Sequence, residues 1–298
     1  MKILLLGASG QVGWELQRAL APLGALVALD RQPRDGLVGD LTDEDGLRAT
    51  VARVAPDVIV NAAAHTAVDR AESEPGLARQ INATALELLG AEARTRGAWL
   101  VHYSTDYVFD GSGDHARRED APTGPLSVYG RTKLEGEDAI RASACRHLIL
   151  RTSWVYAARG GNFARTMLKL AAERERLSVI FDQIGAPTGA ELIADVTAQL
   201  VAQVTRTRDD SLSGVYHLVA RGETSWHGYA RFVIDEARKR GATLKVDEIA
   251  PIPSSAYPTP AARPANSRLD TTRLRTTFGL NLPDWRLGVG RMLDEILT

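Results

Sequence analysis

Tyr129 and Lys133 stand four residues apart in the stretch YGRTK. On a helix, side chains at that spacing share one face, a turn apart. Taken alone, the pair is also what an ordinary surface helix carries, an aromatic and a charge. The chemical reading is a phenol held beside an ammonium. A free phenol has a pKa of about 10, too high for ready proton exchange near neutrality. An adjacent cation lowers it by favouring the phenolate. Such a phenol suits carbonyl reduction, where hydride delivery leaves an alkoxide that must be protonated as it forms. A neighbouring hydroxyl can bind the same oxygen. The stretch STDYVFDG, residues 104–111, supplies one as Thr105, flanked by Ser104 and Asp106. Thr105, Tyr129 and Lys133 form the candidate catalytic set.

Hydride chemistry needs a bound dinucleotide, and GASGQVG places glycines at 7, 10 and 13, between a first apolar run and a first helical segment. Glycine allows a tight turn and lets backbone N–H groups approach a pyrophosphate. The helix N-terminus adds partial positive charge. A glycine triplet alone is weak, but the strand-to-helix context is what the motif requires. Asp30, at the end of the second apolar run about twenty residues on, suits the adenosine ribose hydroxyls and repels a 2′-phosphate. Arg31 follows directly and suits that phosphate, so both NADH and NADPH are expected. In GDLTD, Asp40 and Leu41 are placed to flank the adenine, while Thr42 or Asp43 serves equally well as a helix cap.

These groups need a scaffold. Apolar runs rich in Val, Ile and Leu occur at residues 2–7, 25–30, 57–63, 99–105 and 147–155. Segments with helical spacing lie between them, at 13–22, 43–54, 75–96 and 127–143. Unbroken apolar strands alternating with helices predict a doubly wound parallel α/β sheet of Rossmann type. Residues 1–155 would form this dinucleotide-binding unit. Residues 156–298 would form mainly a smaller mixed α/β substrate-binding lobe, with some elements returning to the first unit. The Pro- and Ser-rich residues 250–264 read as a long irregular connection, a kind that is often functional.

Composition sets the bounds. The chain has 298 residues, 44% hydrophobic and 24% charged, and a formal net charge of −1. That balance gives no electrostatic footprint for nucleic acid or an anionic membrane. A single cysteine, Cys145, excludes a disulfide within the chain and reads as buried filler. No apolar run is long enough for a signal peptide or a membrane span, so a cytoplasmic protein is expected.

These features resemble the extended short-chain dehydrogenase/reductase superfamily. Within it, VNAAAHTAVDRAESEP, HYSTDYVFDG, VYGRTKLEGE, RTSWVY, GAPTGAELIAD and RPANSRLDT resemble the dTDP-4-dehydrorhamnose reductase family, in order along essentially the whole chain. The resemblance implies reduction of a 4-keto nucleotide sugar by NADPH or NADH. It puts Gly10, Gln11 and Val12 at the pyrophosphate, beside Gly7 and Gly13, with Asp30, Asp40 and Leu41 near the adenosine. Ala64, His65 and Thr66 would line the crevice. Thr105, Asp106 and Trp154 would hold the sugar, and an indole there suits a deoxysugar face. Arg263, Asn266 and Ser267 would meet the nucleotide or its phosphates. Some relatives bind Mg²⁺ at a homodimer contact, and the matching positions are Glu15, Glu191 and Glu295; such an ion would be structural.

Two rivals remain at this stage. A nucleotide-sugar dehydratase or epimerase shares the superfamily, but a dehydratase calls for an acid/base pair after the threonine. Here Thr105-Asp106 is followed by Tyr107, which counts against elimination. A similar chain also serves as a non-catalytic regulatory subunit of methionine adenosyltransferase. The intact Thr105, Tyr129 and Lys133 favour an enzyme.

Overall fold

The structure is a computed structural model, and it describes residues 1–207 and 209–297. Five apolar segments form β1 (Lys2–Leu6), β2 (Ala25–Leu29), β3 (Val58–Asn61), β4 (Trp99–Thr105) and β5 (Arg146–Thr152). A sixth strand, Gly214–His217, completes a parallel sheet in the order Gly214–His217, β5, β4, β3, β1, β2. From β1 the chain goes first to β2 on one side and then to β3 on the other. The reversal opens a crevice beyond the strand ends between β1 and β3, where open α/β sheets bind ligands. Register aligns Leu6 with Asn61, Asn61 with His102, and Thr105 with Thr152.

In chain order the helices are α1 (Gln11–Leu20), α2 (Glu44–Val54), α3 (Val68–Ser73), α4 (Pro75–Arg79), α5 (Ala85–Arg96), α6 (Val128–Ala142), α7 (Phe163–Glu173), α8 (Ala190–Thr207), α9 (Trp226–Lys239), α10 (Thr272–Phe278) and α11 (Trp285–Leu297). Alternate strand residues face opposite ways, and both faces are covered. Ile3, Leu5, Val60 and Val101 pack against Leu16 and Leu20 of α1 and Ile193 and Leu200 of α8. Leu4, Leu6, Ile59 and Leu100 pack against Leu47 and Val51 of α2 and Leu86 and Leu89 of α5. Cys145 is buried in this second layer. Three elements beyond residue 155, α8, the Gly214–His217 strand and α10, belong to the sheet and its core layers. The smaller lobe is built from α7, α9 and α11 around Tyr229, Val233, Trp285 and Val289.

Three differences from the sequence reading have physical causes. The helix expected over 75–96 divides into α4, a π turn at Gln80–Thr84, and α5. Its Asn82 side chain accepts from His65 N–H at 2.9 Å and donates to the His65 carbonyl and Thr132 Oγ1. A single wide turn inside a helix often marks such a site. Two short helices, α3 and α10, are too brief to show apolar periodicity. Residues 250–264 are not wholly irregular, because Glu248–Ile252 pairs in parallel with Arg176–Ile180. Pro251 is tolerated there because the sheet has only two strands, so both are edges.

The start of α6 is tightly held. Ser127 caps it by accepting from Gly130 N–H at 3.2 Å, and Glu72 Oε1 accepts from Val128 N–H at 2.7 Å. A side-chain cap of this kind is worth about 1 kcal/mol. A Cβ at position 130 would lie 2.3 Å from the Tyr107 carbonyl oxygen. The glycine inside YGRTK therefore lets α6 press against the chain leaving β4, which brings Tyr129 to Thr105.

Candidate active site

The dinucleotide cradle is made of backbone. Gly7 has φ +83°, and a Cβ on it would sit 2.6 Å from Ala63 N. A Cβ on Gly13 would sit 1.9 Å from the Gly7 carbonyl oxygen. Those two glycines close the turn. Gly10 differs: the nearest atom to its Cβ position is 3.4 Å away, so this side of the turn is open to a ligand. No side chain caps α1, and its first turn holds no acidic residue. The N–H groups of Gln11, Val12 and Gly13 thus have no partner within the helix and fit a pyrophosphate. Asp30 Oδ1 accepts from Ser9 N–H and Ser9 Oγ, both at 3.0 Å, at the edge of this cradle. Arg31 beside it is exposed and makes no ion pair among the described residues.

On the adenine side, both expected residues also have partners within the fold. Asp40 Oδ1 is taken up by Thr42 N–H at 2.9 Å and Thr42 Oγ1 at 2.8 Å. Leu41 is 3% exposed and packs in the core with Leu4, Leu6 and Leu47, so its side chain is not available to a ligand. Asp43, the alternative cap, does cap α2 by accepting from Gly46 N–H. After β3, Ala64 is half-buried, His65 is buried and Thr66 is exposed. His65 Nε2 lies 3.7 Å from Glu74 Oε2, and its buried Nδ1 has no hydrogen-bond partner among the described residues.

Thr105 and Tyr129 meet at the crevice. The Thr105 hydroxyl donates to Asp106 Oδ1 at 3.0 Å and lies near enough to the Tyr129 phenol to favour its ionised form. Tyr107 N–H donates to the same Thr105 oxygen, and the Tyr107 ring meets Tyr129 edge-on at 5.5 Å between centroids. Burial pushes the Tyr129 phenol up to about 12, against the Thr105 hydrogen bond and with help from the Asp106 charge. Burial also raises the Asp106 carboxyl to about 6, with the Ser267 and Thr105 hydroxyls pulling the other way.

The expected phenol–ammonium contact is not present. Lys133 is 2% exposed, and its Nζ lies 2.9 Å from His102 Nε2 and donates to the Tyr103 carbonyl at 2.6 Å. Lys133 does not lower the Tyr129 phenol in this state. Burial brings Lys133 itself down to about 7, opposed by Glu137. Glu137 is buried one turn further along α6, where Arg151 Nε and Nη2 bind its two oxygens at 2.8 and 2.6 Å and Ser104 Oγ donates to it.

The sequence reading omitted Asn61, Asn82, His102, Glu137 and Arg151. One signal was available: His102 and Ser104 are polar at alternate positions of an apolar strand, and Lys133 and Glu137 repeat at helical spacing. Two facing polar stripes would have drawn attention to this buried seam.

The sugar-side residues divide. Trp154 has φ +49°, a strained conformation for a bulky residue, and stacks on Trp226 with centroids 3.6 Å apart. It remains partly exposed at the end of β5. Arg263 is half-buried, donates to Asp69 Oδ2 at 2.8 Å and lies near Tyr107. Ser267 is buried beside Asp106. Asn266 departs from its expected role, since it is 2% exposed and donates to the Ser112 and His115 carbonyls while accepting from Arg268. It ties two loops together. A cavity of about 420 Å³ lined by Arg221, Glu223, Arg268 and Arg275 contains none of the expected site residues except by proximity of Gly185 to Trp154.

The three glutamates expected at a homodimer metal site lie together in the single chain. Glu15, Glu191 and Glu295 share one patch, where the charges of Glu295 and Glu15 reinforce burial in raising Glu191. Arg291 Nε stands 3.7 Å from Glu191 and 3.9 Å from Glu295. A guanidinium already supplies the positive charge. Among the described residues no group of three His, Cys, Asp or Glu side chains is arranged to hold a metal.

Comparison with known proteins places this geometry. The family model described as RmlD substrate binding domain matches residues 1–298. A dTDP-4-dehydrorhamnose reductase of Salmonella typhimurium is 57% identical over 298 residues, covering 100% of this chain and 99% of the relative. A crystal structure of a dTDP-4-dehydrorhamnose reductase from Clostridium acetobutylicum superposes with a TM-score of 0.89 at 33% identity and covers 100% of both chains. One from Bacillus anthracis, solved in complex with NADP, gives 0.85 at 33% identity over 99% of both. From its cradle to its last helix, then, the chain belongs to the dTDP-4-dehydrorhamnose reductase family.

Proposed function

We propose that this chain reduces the 4-keto group of dTDP-4-dehydro-L-rhamnose to dTDP-L-rhamnose with NADPH or NADH, the last step in making that nucleotide sugar. The observation that carries the reading is the nearness of the Thr105 hydroxyl to the Tyr129 phenol, in a chain whose first strand-to-helix turn is open at Gly10. The reduced nicotinamide supplies the hydride. Gln11, Val12 and Gly13 would hold the pyrophosphate through backbone N–H groups. Asp30 and Arg31 stand where the adenosine ribose would lie.

Thr105 and Tyr129 both address the carbonyl oxygen. Thr105 orients it, and Tyr129 gives it a proton as the alkoxide develops. A phenol raised by burial stays protonated throughout the neutral range, which is the state a reduction needs. Lys133 would hold the nicotinamide ribose. Trp154, Asp106 and Arg263 form the sugar and nucleotide side. Tyr107, following Asp106, leaves no second acid for dehydration.

Incubation of purified protein with the 4-keto sugar and each reduced nicotinamide tests the reading. Stoichiometric loss of reduced cofactor is expected. Sugar isomerisation with no net cofactor consumption would instead indicate an epimerase, and capture of a larger enzyme with no turnover would indicate a regulatory subunit. A cytoplasmic homodimer fits the same reading. It is supported by Trp14 and Leu287, large exposed apolar side chains on the helices that carry Glu15 and Glu295. Sedimentation with and without chelator examines both the dimer and any Mg²⁺ dependence.

A further inference from the structure

A chain of hydrogen bonds leads away from the Trp154–Trp226 stack, and its two ends fix its direction. Trp226 Nε1–H donates to Gln183 Oε1 at 3.1 Å, and an indole nitrogen can only donate, so the amide oxygen must face it. Gln183 Nε2 is thereby turned toward Ser254 Oγ and donates to it at 3.0 Å. Ser254 Oγ–H in turn donates to Asp182 Oδ1 at 2.6 Å, and a carboxylate can only accept. Every donor points the same way, from the indole to an anion, and aligned bonds of this kind polarise and strengthen one another. Gln183 is buried, and the next residue stitches its backbone in place. Ile184 N–H donates to the Ala265 carbonyl, and the Ile184 carbonyl accepts from Ser267 N–H, both at 2.8 Å.

The stack at the head of this chain is not one that two rings adopt unaided. Aromatic pairs favour offset or edge-to-face arrangements with centroids about 4.5–7 Å apart. Trp154 and Trp226 lie 3.6 Å apart with 13° between their planes, close to a full sandwich. Two contacts keep Trp226 in register: the Phe163 ring, 4.6 Å away, and the bond from its Nε1 to Gln183. Gly185 constrains Trp154 in turn, since a Cβ there would sit 2.8 Å from Trp154 Cε2. We propose that Gln183 is a positioning residue for the sugar: by holding the Trp226 indole it fixes Trp154, and with it the shape of the wall that the sugar meets. The inference rests on the reading of Trp154 as the sugar side of the reductase site.

One face of Trp154 is covered by Trp226, so only the rest of that indole is left for a sugar. Its backbone is at φ +49°, a strained conformation that persists only where the surroundings over-determine it. Ser254 does not depend on Gln183 for its own place, because its N–H also donates to the Asp182 carboxylate at 2.9 Å. Loss of the Gln183 amide therefore frees the indoles while the start of the long connection stays pinned. The effect belongs to the sugar and leaves the dinucleotide cradle alone.

Gln183→Met, of similar length but without the amide, tests this by titration calorimetry with dTDP-L-rhamnose, dTDP and NADPH beside steady-state kinetics. The Kd for dTDP-L-rhamnose and the KM for the 4-keto sugar are expected to rise about fivefold to tenfold, the size of a lost aromatic contact. Turnover at saturating sugar and the Kd values for dTDP and NADPH should stay within about twofold, a split that general loosening of the fold would not produce. Trp226→Phe keeps a ring beside Trp154 but removes the Nε1 donor, so it should reproduce the shift. The double variant should be no worse than either single one, as residues acting through one bond require. Trp226→Phe also decides the matter if Gln183→Met fails to fold. An unchanged Kd for dTDP-L-rhamnose overturns the proposal, as does an equal loss of dTDP affinity or an additive double variant. Failure of the intact protein to oxidise NADPH with the 4-keto sugar would sink the reductase reading, whereas normal turnover with unmoved sugar affinity in the variants sinks the inference alone.

Discussion

Two strand-to-helix connections meet at the crevice, and they are built on opposite principles. Between β1 and α1 the chain turns within residues 7–10, and the groups that matter are backbone N–H donors exposed because glycines carry no side chain. Between β4 and α6 the chain wanders through residues 106–127 before returning. There the groups that matter are side chains, and nearly all are buried: Thr105, Asp106, Lys133 and Glu137. The first connection binds by what it leaves out. The second acts through a polar seam whose members come from β3, β4, β5 and α6. A local site of the first kind tolerates distant change, while the second depends on every element that contributes a partner.

The sharpest break in that contrast is at Tyr129. Tyr129→Phe should lower turnover by a factor on the order of 10² to 10⁴, the usual worth of a general acid, with NADPH affinity unchanged. Steady-state kinetics beside a direct binding titration checks both halves, and near-normal turnover would remove Tyr129 from its role. Next comes Glu137→Leu, which strands the Arg151 guanidinium in the interior. Breaking a buried pair in this way typically costs about 3–5 kcal/mol, read from denaturant unfolding. Substitutions at the exposed Arg31 should leave that midpoint where it is.

Asp106 gives a smaller, pH-dependent effect. Its folded pKa of about 6 lies above the ordinary value for an aspartate, so its contribution to stability is full below pH 4 and is lost as pH rises through 6. Asp106→Asn should therefore stabilise the protein at pH 8 by up to about 3 kcal/mol and have little effect at pH 4, as thermal melts at the two values would show. The smallest effect belongs to the cradle side. Arg31→Ala should shift the NADPH-to-NADH preference toward NADH by about tenfold, or about 1.4 kcal/mol, measured as a ratio of kcat/KM values.

The same contrast explains what was legible in the sequence. The parallel sheet, the glycine turn, Thr105 and the Tyr129/Lys133 spacing could all be read, because each is written in neighbouring residues. The direction in which Lys133 points could not, because it is set by His102 and the Tyr103 carbonyl on another element. Asn266 looked like a loop ligand and proved to be a brace, since its partners at 112, 115 and 268 are defined only once the loops have folded. The burial of the Leu41 side chain was not legible either, because it depends on α2 packing over it. The π turn escaped because a helix with one wide turn keeps nearly the same apolar period as one without.

The stacked indoles of Trp154 and Trp226 carry a last consequence. One is attached to the chain leaving β5 and the other opens α9, so the pair straddles the junction between sheet and lobe. Two chromophores held almost face to face couple their electronic transitions, and the coupling decays steeply with separation. The molecule thus contains an optical gauge across its own cleft, one that would register any sliding of lobe against sheet without an added label.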